Sequence, residues 1–97
     1  MKIKVRFFTN LREIVNKREE TLTFREVKKV TVDLVLKTLS QKYGIPFTEY
    51  LYNGKTGQPK CFLQFLINGT SASTLNGLET ELKDDDVLAI LPPVGGG

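Results

Sequence analysis

The chain has 97 residues, of which 40% are apolar and 26% charged, with a formal net charge of +3. That length supports one hydrophobic core and excludes two, and the composition is that of a folded domain rather than a disordered segment. No histidine occurs, which removes the commonest general base, the Ser–His and Cys–His nucleophile pairs and most zinc sites.

The first element, "KIKVRFF", alternates. Ile3, Val5 and Phe7 share one face, while Lys2, Lys4, Arg6 and Phe8 share the other. This is the pattern of a half-buried strand, with Phe8 as an aromatic on the lysine face. In "TNLREIVNK" Leu11, Ile14 and Val15 have helical spacing, and Asn10 is the expected cap. "EETLTFREV" alternates again, with Leu22 and Phe24 on one face of a second strand. Its charges, like those of "KREE", mix both signs and read as solvated edges, so no nucleic-acid partner is expected.

"TVDLVLKTLSQKYG" predicts the main helix. Thr31 is its N-cap, Asp33 suits the positive end of its dipole, and Gly44 and Pro46 stop it. Val32, Val35, Leu36, Leu39 and Tyr43 make its apolar stripe. Residues 45–60 read as a loop with room for a short extra element, in which Phe47, Tyr50, Leu51 and Tyr52 cover one end of the core. Cys61, the single cysteine, excludes an internal disulfide and suits a reducing compartment; it is expected to be a small buried or edge residue.

"FLQFLIN" predicts a third strand, Leu63, Phe65 and Ile67 inward and Leu66 outward, followed by the tight turn Asn68-Gly69. Leu75, Leu78 and Leu82 are expected to anchor the crossover, and Asp84-Asp85-Asp86 reads as a charged turn, not a metal site. In the last strand, "VLAILPP", Leu88 and Ile90 face the core and Leu91 faces out. Strand, helical turn, strand, long helix, strand, crossover, strand is the order of an α+β two-layer domain, a mixed sheet covered by one main helix. Alternation also places Phe8, Leu66 and Leu91 together opposite the core. "MKIKVRFF" is too short and too charged for a signal peptide and no apolar run reaches membrane length, so a cytoplasmic location without a membrane partner is expected.

The chain closes on "LAILPPVGGG". Pro92 and Pro93 donate no ladder hydrogen bond and hold the backbone extended, so pairing stops and the end is aimed outward. Pro92, Pro93, Val94, Gly95, Gly96 and Gly97 span roughly 20 Å at about 3.3 Å per residue. Three glycines without Cβ make a terminus thin enough for a narrow channel. The reactive group at its tip is a carboxylate, which must be activated before any transfer. The chain has no phosphate loop, so the ATP for that step belongs to a partner.

"FFTNLREIV", "INGT" and "LKDDDVLAILPPVGGG" resemble the MoaD/ThiS group of ubiquitin-like sulfur carriers over nearly the whole chain. The "PPVxGG" ending resembles MoaD in particular, and the length of residues 44–62 with "NGLET" resembles the archaeal branch that includes small modifier proteins. The resemblance implies a single β-grasp domain over residues 1–97, with residues 92–97 as the extended tail. It implies that a MoeB-type enzyme adenylates Gly97, that sulfur converts it to a thiocarboxylate, and that a MoaE-type large subunit receives the tail during molybdopterin synthesis. The chain is then a carrier subunit, with no cofactor bound by itself and no metal. Phe8 and Leu91, with Leu66 a weaker match, fall at the family's apolar docking positions. Gly96 and Gly97 match its di-glycine; Asp85 stands where many relatives have glycine. Three alternatives stay open: a protein modifier joining Gly97 to target lysines, a sulfur donor for thiazole or tRNA thiolation, and a binding module with an inert tail.

Overall fold

The computed structural model describes residues 1–25 and 29–92. Among them, strands β1 (Lys2–Phe7) and β2 (Glu19–Thr23) enclose helix α1 (Thr9–Val15). Strand β3 (Val30–Thr31), helices α2 (Val32–Tyr43) and α3 (Ile45–Leu51), strands β4 (Gln64–Ile67), β5 (Thr70–Ser71), β6 (Glu81–Leu82) and β7 (Val87–Leu91) follow. Single 3-10 turns at Ala72–Thr74 and Gly77–Glu79 lie between β5 and β6.

Five strands form one mixed sheet in the order β2-β1-β7-β4-β5. The first and last long strands lie parallel at its centre, in the register Lys4–Val87, Val5–Leu88, Arg6–Ala89 and Phe7–Ile90. Their inward side chains explain the placement. Ile3, Val5, Phe7 and Leu88 are fully buried and Ile90 nearly so, and they pack with Val32, Val35, Leu36 and Leu39 of α2. Each such side chain contributes roughly 1.5–3 kcal/mol by leaving water. A polar residue at any of these positions would break the contact between sheet and helix.

The predicted helix is α2. The Leu34 N–H donates to Thr31 Oγ1 at 3.2 Å, and Asp33 pairs with Lys37 at 2.9 Å, one turn on. Gly44 ends it at φ +79°, donating to the Ser40 carbonyl, a backbone angle that favours glycine. The same glycine caps α3, whose first turn holds Pro46. The stop signal is therefore also a start signal, and α3 buries Phe47 and Leu51 completely.

Some expectations change. Asn10 does not cap α1: the helix begins two residues earlier, after Phe8, with no side-chain cap. Leu75 is 52% exposed rather than an anchor, because the chain there forms isolated 3-10 turns with no continuous apolar face. Cys61 is exposed, since it lies in a turn before β4 starts. Asn68 and Gly69 form the tight turn at φ 51° and 88°.

One carboxylate lies inside. The Glu20 side chain is only 4% exposed, with Lys17 Nζ 2.7 Å from Oε1 and Lys42 Nζ 2.9 Å from Oε2. The Tyr43 hydroxyl donates to the same Oε1. Burial pushes the Glu20 carboxyl up, but its bonds from Lys17, Tyr43 and Lys42 outweigh that and hold it below the ordinary range. The cluster ties β2 to the end of α2.

Candidate functional site

The site is built on the outer face of the central strands. Residues alternate along β1 and β7, so burying Phe7 and Ile90 turns Phe8 and Leu91 the other way. Across β7 the register sets Leu66 opposite Ala89 and Gln64 opposite Leu91. Phe8, Leu66 and Leu91, all half-buried, therefore share the outer face with Ala89, whose direct cross-strand neighbours are Arg6 and Leu66.

Phe8 is held at a corner. It is extended, at φ −132° and ψ 152°, and the next residue, Thr9, turns to φ 47° to enter α1. A β-branched residue at positive φ is strained by about 1–3 kcal/mol. That turn ends β1 and leaves the Phe8 ring at its end. The Arg6 and Arg12 guanidinium carbons lie 5.8 Å from the ring centroid each. Arg12 also donates from Nε to the Phe7 carbonyl at 3.4 Å. The apolar patch thus has a cationic rim. Sequence reasoning missed both arginines, although Arg12 follows Phe8 by four residues and Arg6 shares its strand face.

β7 leads out of this patch. Leu91 is its last paired residue, and Pro92, half-buried, breaks the ladder as its missing N–H requires. The expected tail residues Pro93, Val94, Gly95, Gly96 and Gly97 lie outside the described residues. What the structure does give is their origin. Leu91 ends the sheet's middle strand, with the Phe8 end of β1 on one side and the Gln64 end of β4 on the other.

The acidic turn at the far end of β7 has a structural task. Asp84 Oδ1 accepts from the Lys2 N–H at 2.7 Å, while Asp86 accepts from Asn68 Nδ2 at 2.9 Å and from the Lys83 N–H at 2.8 Å. Asp85 adopts a φ of 68°, a backbone angle that glycine takes up more readily. Among the described residues no group of three potential ligands from His, Cys, Asp and Glu comes together. No described helix is long and apolar enough to cross a membrane.

A five-stranded mixed sheet with parallel central strands, a helical layer on one face and an open opposite face is the ubiquitin-like β-grasp fold. The chain belongs to the ThiS family, which matches residues 5–97. It is similar to Small archaeal modifier protein 3 of Haloferax volcanii, 31% identical over the full length of both chains. It is similar to a candidate sulfur carrier protein of Archaeoglobus fulgidus, 32% identical over 74% of this chain and 80% of the other. Among solved structures, the small archaeal modifier protein 1 of Methanosarcina acetivorans is 37% identical, with a TM-score of 0.81 over 99% of this chain and 96% of that one. The chain is thus a ubiquitin-like protein of a sulfur-carrier family.

Proposed function

We propose that this protein carries sulfur on the carboxyl group of Gly97, as the small subunit of a molybdopterin synthase. The observation that carries the reading is the exit of the C-terminal strand through an apolar patch at the centre of the sheet. A partner that grips Phe8, Leu66 and Leu91 holds the body by the face from which the tail departs. The docked face then includes Leu91, the last ladder residue before the tail, so the partner holds the body close to where the tail begins.

The chemistry follows from the carboxylate. A MoeB-type enzyme attaches AMP from ATP to Gly97 and releases pyrophosphate. Hydrosulfide attacks the acyl carbon, the C–O bond to AMP breaks and AMP leaves, and a thiocarboxylate remains. A MoaE-type subunit admits the thin Gly95, Gly96 and Gly97 segment, the sulfur passes to a pterin precursor, and water breaks the acyl–sulfur bond and restores the Gly97 carboxylate.

A second reading has its own support in the full-length similarity to a modifier protein. A lysine amine on a target protein attacks the same activated acyl group, and an isopeptide bond replaces the adenylate. Sulfur donation for thiazole or tRNA thiolation uses the same thiocarboxylate with a different acceptor.

Intact-mass spectrometry of the protein from its native cells tests the assignment. A chain with sulfur in place of one terminal oxygen supports carriage. A branched peptide joining Gly97 to a foreign lysine supports modification. Neither species, in cells that hold the activating enzyme, counts against both.

A further inference from the structure

The outer face of the sheet is cationic on one flank of the apolar patch and neutral on the other. Along β1, Lys4 and Arg6 stay exposed because they alternate with the buried Ile3, Val5 and Phe7. The register sets Thr21 and Glu19 beside them on β2, and Val87 and Ala89 beside them on β7. Arg12 arrives from α1, and its guanidinium lies as close to the Phe8 ring as that of Arg6. Across β7, strands β4 and β5 present the uncharged Gln64, Leu66 and Ser71.

The chain does not neutralise these cations itself. Among the described residues the ion pairs join Lys17 and Lys42 to Glu20 and Lys37 to Asp33, and none includes Lys4, Arg6 or Arg12. Two acids border the group, Glu19 opposite Arg6 and Asp85 in a recess it shares with Lys2 and Lys4. Neither comes within ion-pair distance of them.

We infer, resting on the docking reading above, that this one-sided charge fixes the rotation in which the activating enzyme sits on the patch. The enzyme surface carries carboxylates where it meets Lys4, Arg6 and Arg12, and neutral groups where it meets Gln64. Apolar contact is non-directional, so Phe8, Leu66 and Leu91 alone hold the body without deciding how it is turned. Opposite charge along one flank steers the encounter. It also penalises the reversed pose, in which the carboxylates would lie over Gln64 unpaired. The rotation decides which way β7 runs relative to the partner, and β7 is the strand that ends at Leu91.

Stopped-flow association of the intact chain with the activating enzyme, at low salt and at about 1 M salt, tests this, with circular dichroism reading the fold. Lys4→Gln and Arg6→Gln should each slow association at least about threefold at low salt and change nothing at high salt, where the charges are screened. Arg6→Gln combined with Gln64→Arg moves one cation across the patch at constant net charge, and should stay as slow as Arg6→Gln alone. Recovery of the normal rate by that double variant overturns the inference, because net charge would then suffice. So do unchanged rates in Lys4→Gln and Arg6→Gln while Phe8→Asp still weakens binding, a result that leaves the docking patch standing. If Phe8→Asp binds normally as well, the patch falls and the inference with it. Binding of transfer RNA that is lost in Lys4→Gln and Arg6→Gln, with enzyme association unaffected, would assign the cations to nucleic acid and overturn the inference too.

Discussion

Phe8 and Leu91 stand one step beyond the paired residues Phe7 and Ile90, on adjacent parallel strands, and both face away from the helices. The last residue before the prolines is therefore flanked by the aromatic that ends the opening strand. Phe8→Asp should leave the fold intact, because the ring is not part of the buried core. It should weaken association with the activating enzyme at least tenfold, or about 1.4 kcal/mol. Circular dichroism and a binding titration report the two effects separately. An unfolded variant would show that the ring supports the core after all.

The tip should be more sensitive than the patch. Deleting Gly97, or adding a residue after it, is expected to abolish pyrophosphate exchange by the activating enzyme and leave the melting temperature unchanged. Gly96→Ala adds one methyl to a segment meant for a close channel and should cost about 1–3 kcal/mol in transfer. Normal exchange in the extended variant would rule out Gly97 as the reacting group.

The Glu20 cluster predicts a pH dependence. Its carboxyl is held below its ordinary value of 4.5 in the folded chain, so it adds stability above that value. The contribution fades as pH falls below 4.5 and is gone below the lowered folded value. Glu20→Gln should cost roughly 1–3 kcal/mol at neutral pH by disturbing the Lys17 and Tyr43 bonds. Urea midpoints of the two proteins should converge on acidification. The Lys17 ammonium is raised above 10.5, chiefly by its hydrogen bond to Glu20, so its share of the pairing lasts until strongly alkaline pH.

Thr9 carries backbone strain at φ 47°. Thr9→Gly should relieve it and stabilise the fold by about 1 kcal/mol. The same change loosens the corner that holds Phe8, so partner association should weaken while thermal stability rises. Calorimetry and the binding titration together distinguish this from a purely structural role, which would change stability alone.

The elements legible in the sequence are those whose period repeats. α2 and β1 each show three or more apolar residues in register and β4 and β7 show two, and the outward placement of Phe8, Leu66 and Leu91 followed from the same alternation. Strands β3 and β6 pair as Val30–Leu82 and Thr31–Glu81, and two-residue strands carry no period to read. α3 was hidden because Gly44 and Pro46 mark an end as well as they mark a beginning. Glu20 alternates with Leu22 and so belonged to the inner face, but its acidic neighbours made it look solvated. What reversed that reading was a tertiary fact, Lys42 and Tyr43 arriving from a helix more than twenty residues away.

The placement of β7 between two neighbours also determines how the molecule bears a load. A pull on Leu91 along the strand axis strains the ladders to β1 and β4 together, in shear, instead of opening one ladder bond by bond. An attached cargo can be tugged or levered without peeling its anchor from the body. A protease or unfoldase that starts at this terminus must break the middle of the sheet first.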